Sequence, residues 1–196
     1  MKLVLFVEEK NREYCDPTKQ LLNEIAALSN KITVQVHDLH VDQGQAAHFQ
    51  IDKAPAIAVM NGKDYGIRYY GIPSGYEFGS LIDDILDVSK GESGLSAATK
   101  ASLAQLTRPI HFQVFVTPTC PYCPQAVRTA HKMAMESEWV RADMIEATEF
   151  PELSQKYEVM AVPRVIINDT NYFEGGLPEA QFLAAALKTL ESNSKN

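Results

Sequence analysis

Apolar and polar positions along the chain follow a pattern that appears twice. Residues 2–7 (KLVLFV) form a short apolar run, as expected of a buried strand. Residues 17–29 place Leu21, Leu22, Ile25 and Leu28 on one helical face. Residues 32–39 read as a second strand and 46–49 as a short helix. Residues 56–60 and 65–70 flank Asn61-Gly62, a strong hairpin signal. Residues 76–88 close the series as a helix. Residues 89–107 follow, with Gly91, Ser93 and Gly94 and then a helical stretch over 96–106; they read as a linker and an opening helix. The order then returns. Residues 112–116 (FQVFV) are a strand, and 123–136 a helix with Val127, Ala130, Met133 and Ala134 on one face. Residues 139–147 are a strand and 152–157 a short helix. Residues 164–168 and 172–174 are β runs around a turn-rich Asn168-Asp169-Thr170-Asn171. The last helix, 179–190, turns Phe182, Leu183, Ala186 and Leu187 inward.

The register supports a duplication. Cys15 and Cys123 are 108 residues apart (123 − 15), and so are Pro55 and Pro163 (163 − 55). Gly71-Ile72-Pro73 precedes Tyr76-Glu77-Phe78, and Gly176-Leu177-Pro178 precedes Ala180-Gln181-Phe182. Each half is βαβ followed by ββα. A right-handed crossover makes the first part a parallel pair, and the hairpin adds antiparallel strands. The expected fold class is therefore α/β, with two tandem thioredoxin-like domains over residues 1–90 and 91–196. Each would have a mixed central sheet flanked by helices.

Charge narrows the partners. The net charge of −7, with no basic stripe, disfavours nucleic acid and an anionic membrane surface. The first apolar run, Leu3 to Val7, is shorter than a signal peptide needs and is followed by Glu8-Glu9-Lys10. No run approaches the ~20 apolar residues of a membrane span. A cytoplasmic location is expected. In a reducing compartment, a close cysteine pair points to catalysis or metal binding rather than a structural bridge. Of the three cysteines, Cys120 and Cys123 form a C-x-x-C, while Cys15 lies in the other half. A closed zinc site needs four ligands, and no histidine pair has the spacing to supply the rest, so no metal is expected.

Cys120-Pro121-Tyr122-Cys123 carries the chemistry. Disulfide exchange needs an accessible thiolate and a second thiol behind it. A helix N-terminus supplies unpaired N–H groups and the positive end of the dipole, which lower a thiol pKa. Cys120, exposed by the loop Thr117-Pro118-Thr119, is the expected nucleophile, and Cys123 the resolving thiol. Pro121 suits the first helical turn.

The stretch VFVTPTCPYCPQAVR (residues 114–128), the later VMAVP (159–163) and the degenerate EYCD (13–16) resemble the protein disulfide oxidoreductases. These are glutaredoxin-like proteins with two thioredoxin folds in tandem. The chain is also similar to the N-terminal domain of the flavoprotein component of alkyl hydroperoxide reductase. The resemblance implies that Pro163 is cis and faces the cysteine pair, leaving the Val162 backbone free to pair with a substrate chain. Pro121, Tyr122, Val162 and Pro163 are thus the expected substrate contacts. A plain strand-start proline is the alternative for Pro163. No bound cofactor is expected. The expected partners are proteins with disulfides and a thioredoxin-reductase-type flavoprotein as donor, with a peroxiredoxin as a further candidate, and the protein is expected to be a monomer. One departure stands out: Arg12 occupies the place of an attacking cysteine in the first half, which argues against a two-site relay.

Other positions stay open. Cys15 is read as a remnant thiol, a regulatory thiol or a small core residue. Glu77 would tune the redox pair or be a solvated helix residue. Arg128 and His131 read as the wet face of the active-site helix. Val114 stands where many thioredoxins have a buried aspartate, so proton handling falls to water or another carboxylate. Gly175-Gly176 would form either a carboxylate-gripping turn or a plain one. Two further functions remain: a dedicated electron shuttle to a peroxiredoxin, and a non-enzymatic, redox-gated binding module.

Overall fold

The computed structural model of the chain describes residues 1–192. Strands β1 (Lys2–Val7), β2 (Thr33–Asp38), β3 (Ala56–Asn61) and β4 (Lys63–Tyr70) belong to the first half. Strands β5 (Ile110–Val116), β6 (Val140–Glu146), β7 (Arg164–Ile167) and β8 (Asn171–Glu174) belong to the second. Helices α1 (Arg12–Ala27), α2 (Gln43–Phe49) and α3 (Tyr76–Lys90) are matched by α5 (Cys123–Glu136), α6 (Pro151–Lys156) and α7 (Glu179–Ser192). The helix α4 (Ala97–Leu103) joins the two sets, capped by Ser96, whose hydroxyl accepts from the Thr99 N–H at 3.2 Å.

The strand order is β2-β1-β3-β4-β6-β5-β7-β8 in one eight-stranded sheet. Within each half the first two strands are parallel and the others antiparallel. The expected separate sheets are thus fused, because β4 pairs in parallel with β6, Ile67 to Tyr70 against Ala142 to Ile145. An unpaired edge is an open row of N–H and C=O groups, and each half covers the other's. The 108-residue register persists in backbone detail. Gln50 and Glu158 both have positive φ, and Ala54–Pro55 and Val162–Pro163 are both cis.

Apolar alternation decides the layers. Leu3 and Leu5 pack on one face with α1, α3, α5 and α7, while Val4 and Phe6 pack on the other with α2. All four are fully buried, which explains a strand that reads as a continuous apolar run. One boundary differs from the sequence expectation. The first helix begins at Arg12 rather than at Pro17, which lies inside it. Pro17 and Glu13 are exposed, so the Glu13 carbonyl that loses its helical partner can reach water.

Candidate functional site

The site sits where β5 ends. The chain turns at Thr117, whose carbonyl accepts from the Cys120 N–H at 3.1 Å. Cys120 and Cys123 are joined as a disulfide, with Cα atoms 5.5 Å apart. Cys123 begins α5, with Pro124 in the opening positions where a missing N–H costs no hydrogen bond. Pro121, expected in the first helical turn, lies in the turn before it. Pro121 and Tyr122 are exposed, Tyr122 by 70%.

Cys120 is less open than expected, at 7% exposure, and Cys123 is fully buried. The Val162 carbonyl oxygen lies 3.7 Å from the Cys120 sulfur, and the Val162–Pro163 bond is cis. The loop before Cys120 is pressed against the first half: Tyr76 N–H donates to the Pro118 carbonyl at 3.0 Å. A Cβ on Gly75 would come within 2.1 Å of that same oxygen, and Gly75 has φ +59°. The packing that fixes the turn also shields the sulfur.

The Gly175-Gly176 turn is tied to the same centre. Gly175 N–H donates to the Pro163 carbonyl at 2.9 Å. A Cβ on Gly176 would lie 3.1 Å from the Tyr122 carbonyl oxygen, so close approach explains this glycine.

Behind the pair lies a buried polar cluster between α3 and α5. His131 is fully buried, not on a wet face, and its Nδ1 lies 2.5 Å from Asp84 Oδ2. Arg128 is largely covered and bonds both Asp84 and Asp87. The Tyr69 hydroxyl donates to Asp84. Glu77, one turn before Leu81 on α3, is only 1% exposed. Burial pushes its carboxyl up to about 7, against the pull of the Ser80 hydroxyl and His131, with Asp84 adding to the rise. The alternative of a solvated Glu77 is thereby overturned. Asp84 escaped the sequence reading, although one signal was there. Glu77 and Asp84 share a helical face with Leu81, Ile85 and Val88, and carboxylates on an apolar stripe are out of place.

The first half keeps the frame without the chemistry. Arg12 points into an exposed ion pair with Glu9 at 3.3 Å and Asp16 at 3.6 Å. Cys15 is a free, buried thiol, and burial pushes its pKa up. The carbonyl of Ala54, the counterpart of Val162, is occupied by the Asn11 side-chain amide at 2.8 Å. Nearby Glu149 accepts from the Ile72 N–H at 2.8 Å. Burial pushes its carboxyl to about 7, opposed by the Ile72 N–H and reinforced by Glu146. Among the described residues no cluster of three or more His, Cys, Asp or Glu side chains could hold a metal ion, and no helix is long and apolar enough to cross a membrane.

Residues 110–188 match the thioredoxin-domain family model. The chain is 30% identical over 179 residues to the F component of alkyl hydroperoxide reductase from Staphylococcus epidermidis, covering 91% of this chain and 32% of that protein. It is 26% identical over 165 residues to an NADH dehydrogenase of Bacillus subtilis, covering 84% and 30%. The chain thus spans about a third of the length of the curated relatives it matches. A protein disulfide oxidoreductase from Aeropyrum pernix superposes with a TM-score of 0.91 at 31% identity, covering 97% of this chain and 86% of that one. The NTD_N/C domain of alkylhydroperoxide reductase AhpF from Enterococcus faecalis superposes with a TM-score of 0.86 at 27% identity, covering 94% and 90%.

Proposed function

Because the chain belongs to the protein disulfide oxidoreductases, the glutaredoxin-like proteins with tandem thioredoxin folds, we propose that it reduces protein disulfides by dithiol exchange. The observation that carries this is the Cys120–Cys123 disulfide at the N-terminus of α5, beside the Val162 carbonyl. The Cys120 thiolate attacks one sulfur of a substrate disulfide and expels the first substrate thiolate. Cys123 then gives up its proton and attacks Cys120, expelling the second. The substrate gains two electrons as two thiolates, which take their protons from solvent, and the chain is left with the Cys120–Cys123 bond. A flavoprotein of the thioredoxin-reductase type restores the dithiol.

Pro121, Tyr122, Val162 and Pro163 form the substrate-binding rim in this reading. The exposed Tyr76 from the first half and Met160, 89% exposed two residues before Val162, extend it as an apolar border. Glu77 is the carboxyl that serves the buried Cys123, in place of the aspartate that Val114 replaces. The units divide at 90/91, where Gly91 terminates α3. The first is a scaffold and docking face without a working pair. The whole acts in the cytoplasm as a monomer.

A second reading has its own support. The likeness to the N-terminal part of AhpF favours a dedicated shuttle from a flavoprotein to a peroxiredoxin. Equilibration against glutathione buffers, followed by mass spectrometry, tests the redox assignment. A two-proton mass change that follows the buffer, with a potential near the glutaredoxin range of about −200 to −230 mV, is expected. No mass change would sink it. Comparing turnover on insulin with turnover on a peroxiredoxin separates the two readings.

A further inference from the structure

The buried cluster between α3 and α5 holds more polar groups than packing requires. Among the described residues, both Glu77 carboxylate oxygens, the Ser80 hydroxyl and His131 Nε2 are buried without a well-aligned hydrogen bond, although Ser80 lies near enough to Glu77 to pull on its carboxyl. Buried polar atoms are costly when left unpaired, and a group of this kind is commonly satisfied by a bridging water. The other side of the imidazole is fixed, because Nδ1 faces Asp84 Oδ2 at 2.5 Å. A carboxylate accepts only, so Nδ1 carries a proton. In the neutral ring Nε2 is then a bare lone pair, on the side that faces neither Asp84 nor solvent.

We propose that His131, oriented by Asp84 across the boundary between the halves, is a positioning residue that relays the Cys123 proton away from Glu77 through a bridging water. This rests on the redox reading above and adds the group that Glu77 alone lacks. Glu77 sits two residues after Gly75, at the point where α3 presses on the active-site loop. As Cys123 attacks Cys120, its proton passes to the Glu77 carboxylate. It moves through water to His131 Nε2, forming an imidazolium that the Asp84 carboxylate stabilises. The proton count balances: one leaves the thiol and one arrives at the ring. On reduction of the pair it runs in reverse.

The surroundings fit this path. From α3 the cluster is faced by Glu77, Asp84 and Asp87, with Asp83 at its rim, from α5 by Arg128 and His131, with Lys132 at its rim, and from β4 by Tyr69. Arg128 offsets the charge of Asp84 and Asp87, so the imidazolium faces a carboxylate whose field is shared. Tyr69 donates to Asp84 and holds the carboxylate in place. His131 touches no substrate and acts only through Glu77.

Two measurements on the full chain test this. Ring-nitrogen NMR of histidine-labelled protein reads the tautomer directly, with His131→Gln identifying the signal. The expected result is a neutral ring with its proton on Nδ1 and a bare Nε2. A neutral ring protonated on Nε2 instead would overturn the proposal; His131→Gln has only to fold for the signal to be assigned, and needs no activity. In rapid mixing with a small disulfide, His131→Gln should slow the resolving step about tenfold, below the roughly 10²–10⁴-fold of a group that acts on the reacting atoms directly, and move its pH profile. Alkylation of Cys120 should stay unchanged. A wild-type rate and profile in a folded variant would also overturn it. If Cys120→Ser kept full exchange, the redox reading would fail instead, and the tautomer result would be untouched.

Discussion

At the scale of single residues, the two cysteines carry unequal tasks and their variants should separate them. Cys120→Ala is expected to abolish turnover, whereas Cys123→Ser should accumulate a mixed disulfide with substrate, detectable as a mass adduct. Loss of turnover with retained affinity for a partner would fit a binding module as well, so the adduct is the deciding measurement. Glu149 makes a separate point about pH. Its folded carboxyl is raised to about 7 from the usual carboxylate value. A raised acid favours the native state when protonated, so this stability is complete below about pH 4.3 and is lost as pH climbs through about 7. Glu149→Gln should therefore raise the melting temperature at pH 8 and do little at pH 4, as measured by thermal scans across pH. Equal effects at both values would contradict the assignment. The C-x-x-C was legible from the sequence because its type and spacing are distinctive, and the cis bond at Pro163 followed from the family resemblance. Glu149 was not, because nothing local distinguishes it from a surface glutamate. Its burial comes from Gly71 and Ile72, over seventy positions away.

At the scale of elements, α3 belongs to the first half by sequence and serves the second by contact. Its N-terminus meets the active-site loop through Gly75, where a side chain would strike the Pro118 carbonyl. Gly75→Ala should cost stability on the order of 1–3 kcal/mol and slow exchange by displacing Cys120. Gly79, one turn further, has open space around it, so Gly79→Ala should stabilise by about 0.5–1 kcal/mol and leave exchange alone. Chemical denaturation of the two variants checks both, and a harmless Gly75→Ala would mean the loop is free to shift. Both α3 and α5 were legible as helices in the sequence, and so was the apolar face of α5. What was hidden is that the two helices face each other. Arg128 and His131 looked solvated because α5 alone offers no counter-charge; Asp84 and Asp87 supply it from α3. The first helix shows a related limit. Arg12 to Tyr14 are helical, although their counterparts Cys120 to Tyr122 form a turn, and the proline at 17 concealed the earlier start.

At the scale of the whole molecule, the duplication was legible and the junction was not. Pattern reveals what each half contains, but strand partners across the halves depend on which edges remain open. The pairing of β4 with β6 means that residues 91–196 alone would expose the β6 edge and strip Arg128 and His131 of their counter-ions. That fragment is expected to self-associate and to exchange disulfides poorly, with light scattering and insulin reduction as the tests. A monodisperse, fully active fragment would show that the first half is dispensable.

The fused sheet also bears on how electrons arrive. A ladder of hydrogen bonds crosses from one half to the other, so the two halves share one frame. Among the described residues the sulfurs are set in that shared frame, in the manner of an electrode rather than a moving arm. In the proposed reading, donor and acceptor would then take turns at one port, and the pace of turnover would pass to how quickly each of them departs.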